Sequence, residues 1–128
     1  MGRLVTSVKI ENVSDANKVI RCDALVDTGA SFMILPVAWK DRLGKLEQIR
    51  TVHAETATQQ VIEGKICGPV KIQMEGFDPI FSEVMFVEMQ PEDGIYEPLL
   101  GYLILEQSQA AVDMVGHRLM HVKHTDLK

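Results

Sequence analysis

The sequence predicts an all-β domain with one or two short helices. Three observations lead there. Short runs of β-branched and apolar residues recur at spacings near ten residues. Clusters of Gly, Pro, Asn and Asp separate them. Val70-Lys71-Ile72-Gln73-Met74 alternates apolar and polar residues, the pattern of a strand with one buried and one wet face. Many short strands at this spacing favour a closed or sandwich-like sheet.

The elements follow in order. Leu4–Ile10 mixes apolar and polar residues with a period near two and reads as a strand. Asn12–Asn17 is polar and turn-like. Lys18–Val26 is a second strand, interrupted by Asp27-Thr28-Gly29, and an extended apolar run resumes over Ser31–Leu35 until Pro36. Val37, Trp39, Leu43 and Leu46 have helical spacing. Ile49–Ile66 is polar but β-branched and reads as a long exposed hairpin, followed by a turn at Gly68-Pro69. Ile80–Met89 is a strand, Gln90–Gly94 a loop, Leu99-Leu100 a short strand and Gly101–Gln107 a short helix. Ala110–Met114 and His117–His121 flank Val115-Gly116 as a hairpin. The methionines read as core filler.

Composition narrows the function. The 128 residues are one domain's worth, so 1–128 is read as a single domain. With 46% apolar and 24% charged residues, a disordered chain, a collagen repeat and a coiled coil are excluded. The longest apolar runs, such as Phe32–Leu35, have strand length, so no membrane partner is expected. Thirteen Lys and Arg against 18 Asp and Glu give a net charge of −5. No basic cluster supplies the positive field that nucleic acid requires, so none is expected as a partner. Cys22 and Cys67 lie far apart in strand-like sequence and read as buried, reduced thiols. The N-terminus reads as a strand rather than a secretory leader, and a cytoplasmic location is expected.

One stretch has the character of a reaction site. In Ala24-Leu25-Val26-Asp27-Thr28-Gly29-Ala30-Ser31-Phe32-Met33-Ile34-Leu35-Pro36 a single acid stands between two apolar strands. A small hydroxyl residue and a glycine follow it. Asp can bond its own backbone in such a turn, and glycine supplies unusual dihedrals and lets another backbone approach. Partial burial disfavours a charged carboxylate, which is how proteins prepare a general acid or base. Other chemistries find less support. His117, His121 and His124 have spacings that suit metal ligands on a helix, but the region reads as hairpin and strand. No Gly-x-Ser-x-Gly and no phosphate-cradling glycine loop occurs. No metal or organic cofactor is called for.

Leu25-Val26-Asp27-Thr28-Gly29-Ala30-Ser31 resembles the active-site signature of the retropepsin-like aspartic proteases, the retroviral proteases and their small cellular relatives. Pro98-Leu99-Leu100-Gly101-Tyr102-Leu103-Ile104-Leu105 resembles the family's second motif, two apolar residues and a glycine opening a short helix. The order of elements agrees over roughly residues 4 to 121. The resemblance implies a closed retropepsin-like β-barrel, homodimeric, with Asp27 as the catalytic residue. Thr28, Gly29 and Ala30 would form the active-site loop, and Leu99, Leu100 and Gly101 would support it from behind. The hairpin after the first motif would be a flap over substrate, with His53, Ala54, Glu55, Thr56 and Ala57 as its candidate residues. Unlike the family's usual flap, it has no glycine between Gly44 and Gly64.

Aspartic proteases need two carboxylates in one site; the handling of one shared proton between such a pair is established physics. This chain holds a single Asp-Thr-Gly, so the resemblance implies one Asp27 from each subunit of a symmetric dimer acting on a peptide or protein substrate. The alternative is a catalytically inactive dimerisation or peptide-binding module on the same fold. A plain β-sandwich with an incidental turn is a third reading.

Overall fold

The chain opens with a hairpin whose turn is tied by one side chain. β1 (Val5–Asn12) runs antiparallel to β2 (Asp15–Val26), with Val5 opposite Leu25 and Ile10 opposite Ile20. The Asn12 side-chain oxygen accepts the Ser14 N–H at 2.8 Å, closing a turn shorter than the expected Asn12–Asn17. Its Nδ2 donates to the carbonyls of Leu43 (2.7 Å) and Lys45 (3.2 Å). Asn12 is buried, and these bonds satisfy it. This computed structural model describes residues 3–55 and 59–122.

β3 (Met33–Pro36) leads into a 3-10 helix over Val37–Leu43. The helix is shorter and tighter than the expected Val37–Leu46 segment. Gly44, at φ +69, stops it, and Leu43 is its buried anchor. β4 (Gln48–Glu55) and β5 (Val61–Met74) form the long hairpin. Gly68-Pro69 is not a turn. β5 runs through it with a register shift between Cys67 and Val70, a bulge that bends the strand between its two halves. β6 (Ile80–Val87), β7 (Leu99–Leu100), α1 (Tyr102–Gln107), β8 (Ala110–Asp113) and β9 (Arg118–His121) complete the order.

The large sheet has the order β1-β2-β7-β3-β6-β5-β4, and β1 also pairs with β5. The pairing therefore returns on itself, and β4 is the strand left outside the circuit. One face of this all-β sheet holds the core, with Ile10, Met33, Leu35, Ile72, Phe86 and Leu100 at 0–1% exposure. Each such side chain contributes about 1.5–3 kcal/mol by leaving water. Met33 and Met74 fill this core as expected, whereas Met114 (71% exposed) and Met120 lie at the surface of the last hairpin.

β8 and β9 form a separate two-stranded sheet. Asp113 ties its turn by accepting the N–H groups of Val115 (3.1 Å) and Gly116 (2.9 Å) and Arg118 Nε (3.2 Å), which holds its carboxyl below the usual range. The His121 ring stacks on Phe77 at 4.2 Å, with Nε2 2.7 Å from the Gly76 carbonyl oxygen, and so docks the hairpin on the β5–β6 turn. No helix among the described residues is long and apolar enough to cross a membrane.

Candidate active site

Asp27 stands where β2 ends, and its loop is clamped by residues far along the chain. β7 is inserted between β2, to which it is parallel, and β3, to which it is antiparallel. The Asp27 N–H donates to the Leu100 carbonyl at 3.0 Å, and the Leu25 N–H to that of Pro98 at 2.9 Å. Past β7, the N–H groups of Tyr102 and Leu103 donate to the carbonyls of Ala30 (2.7 Å) and Ser31 (2.9 Å). These bonds use the free donors at the start of α1 to fix the far side of the loop. Gly101 makes the approach possible, because a Cβ there would meet the Phe32 oxygen at 2.4 Å and the Ser31 oxygen at 2.7 Å.

Inside the loop, Asp27 Oδ1 accepts the Gly29 N–H at 2.9 Å, and the Ala30 N–H donates to the Asp27 carbonyl at 3.1 Å. Gly29 does not adopt a positive φ, contrary to the expectation of unusual dihedrals. Its missing side chain leaves room beside the carboxylate, since a Cβ would lie 3.2 Å from Oδ1. Asp27 and Ala30 are half-buried, while Thr28 and Gly29 are exposed. Leu100 is in the core; Leu99 points to the other face.

That other face carries a row the sequence reading did not single out. Register partners run Val5–Leu25–Leu99–Ile34–Met85–Ile66–Arg50, one residue from each strand of the large sheet. Six are apolar, and Leu25, Leu99, Ile34 and Met85 are half-buried. Asp27 lies two residues beyond Leu25 and so shares this face by the strand period. Gly64 lets the row pack: a Cβ there would meet Met85 Sδ at 2.5 Å. Alternation within each strand was the available signal, but only the strand order joins the residues into one row.

The row ends in charge. In β4 the register shifts between Gln48 and Arg50, so Ile49 is the extra residue of a bulge and Arg50 takes the place opposite Ile66. The Arg50 guanidinium lies 5.7 Å from the centroid of the Phe32 ring, just past the Asp27 loop. At the other end, a hollow of about 490 Å³ beside Val5 and Leu25 is rimmed by Asp23, Glu92, Asp93 and Glu97. A hollow of about 530 Å³ among Ser7, Lys9, Arg21, Asp23, Gln73 and Glu75 includes neither Asp27 nor the apolar row.

The candidate flap residues are placed less centrally. His53 pairs with Glu63 across the hairpin, Nε2 to Oε2 3.8 Å, one position from Gly64, against which the Met85 side chain lies. It therefore faces away from the apolar row. Ala54 and Glu55 are opposite Ile62 and Val61 in the strand register. Thr56 and Ala57 lie outside the described residues. Both cysteines are free thiols. Burial pushes Cys22 up to about 11 and raises Cys67 as well, so neither is prepared as a nucleophile. No group of three or more His, Cys, Asp or Glu among the described residues is placed to hold a metal ion.

Neither a scan against protein-family models nor a search of curated proteins returns a match for this chain. The arrangement defines what is chemically available: one carboxylate on a hydrogen-bonded loop, an exposed hydroxyl beside it, and an apolar floor leading away to a cation.

Proposed function

We propose that this chain is an aspartic endopeptidase of the retropepsin type, acting as a homodimer on peptide or protein substrates in the cytoplasm. The observation that supports this most is the clamped Asp27 loop, with the Leu99-Leu100-Gly101 segment bonded behind it and an apolar row beside it. A decorative turn needs no such bracing. The closed-barrel reading rests on the return of the sheet through the β1–β5 pairing.

In this reading the two Asp27 carboxylates meet at a two-fold axis and share one proton. The ionised one takes a proton from a water held between them, and the resulting hydroxide attacks the peptide carbonyl carbon. The protonated one gives its proton to the carbonyl oxygen. Collapse of the tetrahedral species breaks the C–N bond, with a proton passing to the departing nitrogen. Thr28, exposed beside Asp27, would brace the two loops, and the substrate would lie extended along the Leu25–Ile34–Met85 floor. The second subunit would also cover an open apolar groove of about 420 Å³ among Thr28, Tyr102, Leu105, Ala111, Val112 and Val122.

The test is cleavage of a mixed peptide library by concentrated protein, read by mass spectrometry beside Asp27→Asn. Cleavage by the wild type that is lost in the variant, and that rises toward mildly acidic pH, is expected. Cleavage that survives the substitution overturns the assignment of Asp27. No cleavage by a protein that sizes as a dimer favours the inactive peptide-binding module instead.

A further inference from the structure

We propose that Arg50 is a specificity-determining residue that receives a carboxylate side chain, Asp or Glu, of a peptide lying along the apolar row. The inference takes from the peptidase reading that a peptide occupies the apolar row.

Arg50 is exposed, yet its position is built. The bulge at Ile49 turns Arg50, rather than an isoleucine, onto the face shared with Leu99, Ile34 and Met85. There its guanidinium rests over Phe32, the residue that leaves the Asp27 loop for β3. A cation–π contact of this length uses the charge of the guanidinium and none of its N–H donors, which can still serve an acceptor. The ion pairs among the described residues are Arg3–Glu97, Lys9–Glu11, His53–Glu63 and Arg118–Asp113, and none includes Arg50. In a chain of net charge −5, this arginine on the face of the apolar row makes no ion pair within 4.0 Å among the described residues.

The partner's chemistry follows from complementarity. The fork geometry of guanidinium matches a carboxylate through two parallel hydrogen bonds. The opposite end of the row disfavours the same group, because Asp23, Glu92 and Asp93 line it, with Glu97 there already paired to Arg3. A peptide with an acidic residue is therefore accepted in a register that sets the acid against Arg50 and apolar residues over the floor. Electrostatic complementarity of this kind fixes register more than affinity. A contact made only to brace Phe32 would not discriminate Glu from Gln in the substrate.

The probe is a positional octapeptide library with Glu or Gln at each site, read in two ways. Cleavage by the wild type, Arg50→Gln and Arg50→Glu gives the Glu-to-Gln ratio of kcat/KM at each position. Binding to Asp27→Asn, with and without Arg50→Gln, gives the same preference without turnover. At one position, the wild type is expected to favour Glu by about tenfold or more, Arg50→Gln to level the ratio, and Arg50→Glu to invert it. Cleavage with the same ratio in all three proteins overturns the role of Arg50 and leaves the peptidase reading standing. An Arg50-dependent preference in binding with no cleavage by the wild type overturns the peptidase reading and supports the role of Arg50. Neither cleavage nor binding overturns both.

Discussion

The backbone N–H of Asp27 donates to the carbonyl of Leu100 at 3.0 Å. The bond joins the end of β2 to the last residue of a two-residue strand far along the chain. It means that the carboxylate is positioned by the support segment as much as by its own loop. A strand so short has little stability of its own, and its place depends on pairing with β2 on one side and β3 on the other.

Gly101→Ala tests that dependence. The new methyl would have to displace backbone atoms of Ser31 and Phe32, which a flexible side chain could have avoided. The expected loss is about 1–3 kcal/mol or more, as for overpacking elsewhere. Urea denaturation measures it. A variant as stable as the wild type would show that the loop can move away at no cost.

Asn12→Ala removes a different tie. The buried amide satisfies the carbonyls of Leu43 and Lys45 at the end of the 3-10 helix and accepts the Ser14 N–H. Leaving these groups without partners is expected to cost about 1–3 kcal/mol. The same denaturation measurement checks it. Amide exchange should quicken first around Leu43 and Gly44.

Cys22 gives a prediction in pH. With its thiol held up to about 11, the thiolate at about pH 8 is scarce compared with an unfolded chain. Alkylation of Cys22 by iodoacetamide in the folded protein is expected to be roughly a hundredfold slower than after unfolding. Mass spectrometry of the labelled peptides reads the ratio. A thiol raised by folding contributes its full stability below the unfolded value of about 8.5, and that contribution is lost as pH climbs toward the folded value. Stability should therefore fall through this alkaline window, and less so in Cys22→Ala.

Much of the strand pattern was legible because alternation and turn residues are local signals. Val70–Met74 and the Val115-Gly116 hairpin follow directly from them. Asp27 stands out as a single acid, followed by a small hydroxyl residue and a glycine, between two apolar strands, whereas Gly101 is marked only by the resemblance of Leu99-Leu100-Gly101 to a family motif. Gly68-Pro69 suits a turn and a bulge equally well by residue type, and only pairing with β6 decides for the bulge. The row from Val5 to Arg50 was not legible at all. Its members come one from each strand, and the insertion of Leu99-Leu100 between β2 and β3 is what makes them neighbours. Arg50 was hidden further by the bulge, which no residue type in Gln48-Ile49-Arg50 announces.

The proposed peptidase site needs one Asp27 from each of two chains. Mixing tests it most directly. Wild-type protein is held at a fixed concentration, high enough to be dimeric, and an equal amount of Asp27→Asn is added and allowed to exchange. Random pairing halves the number of wild-type dimers, so cleavage should fall to about half, and further as more variant is added. Unchanged cleavage, with exchange between the two proteins verified by mass spectrometry, would contradict the claim.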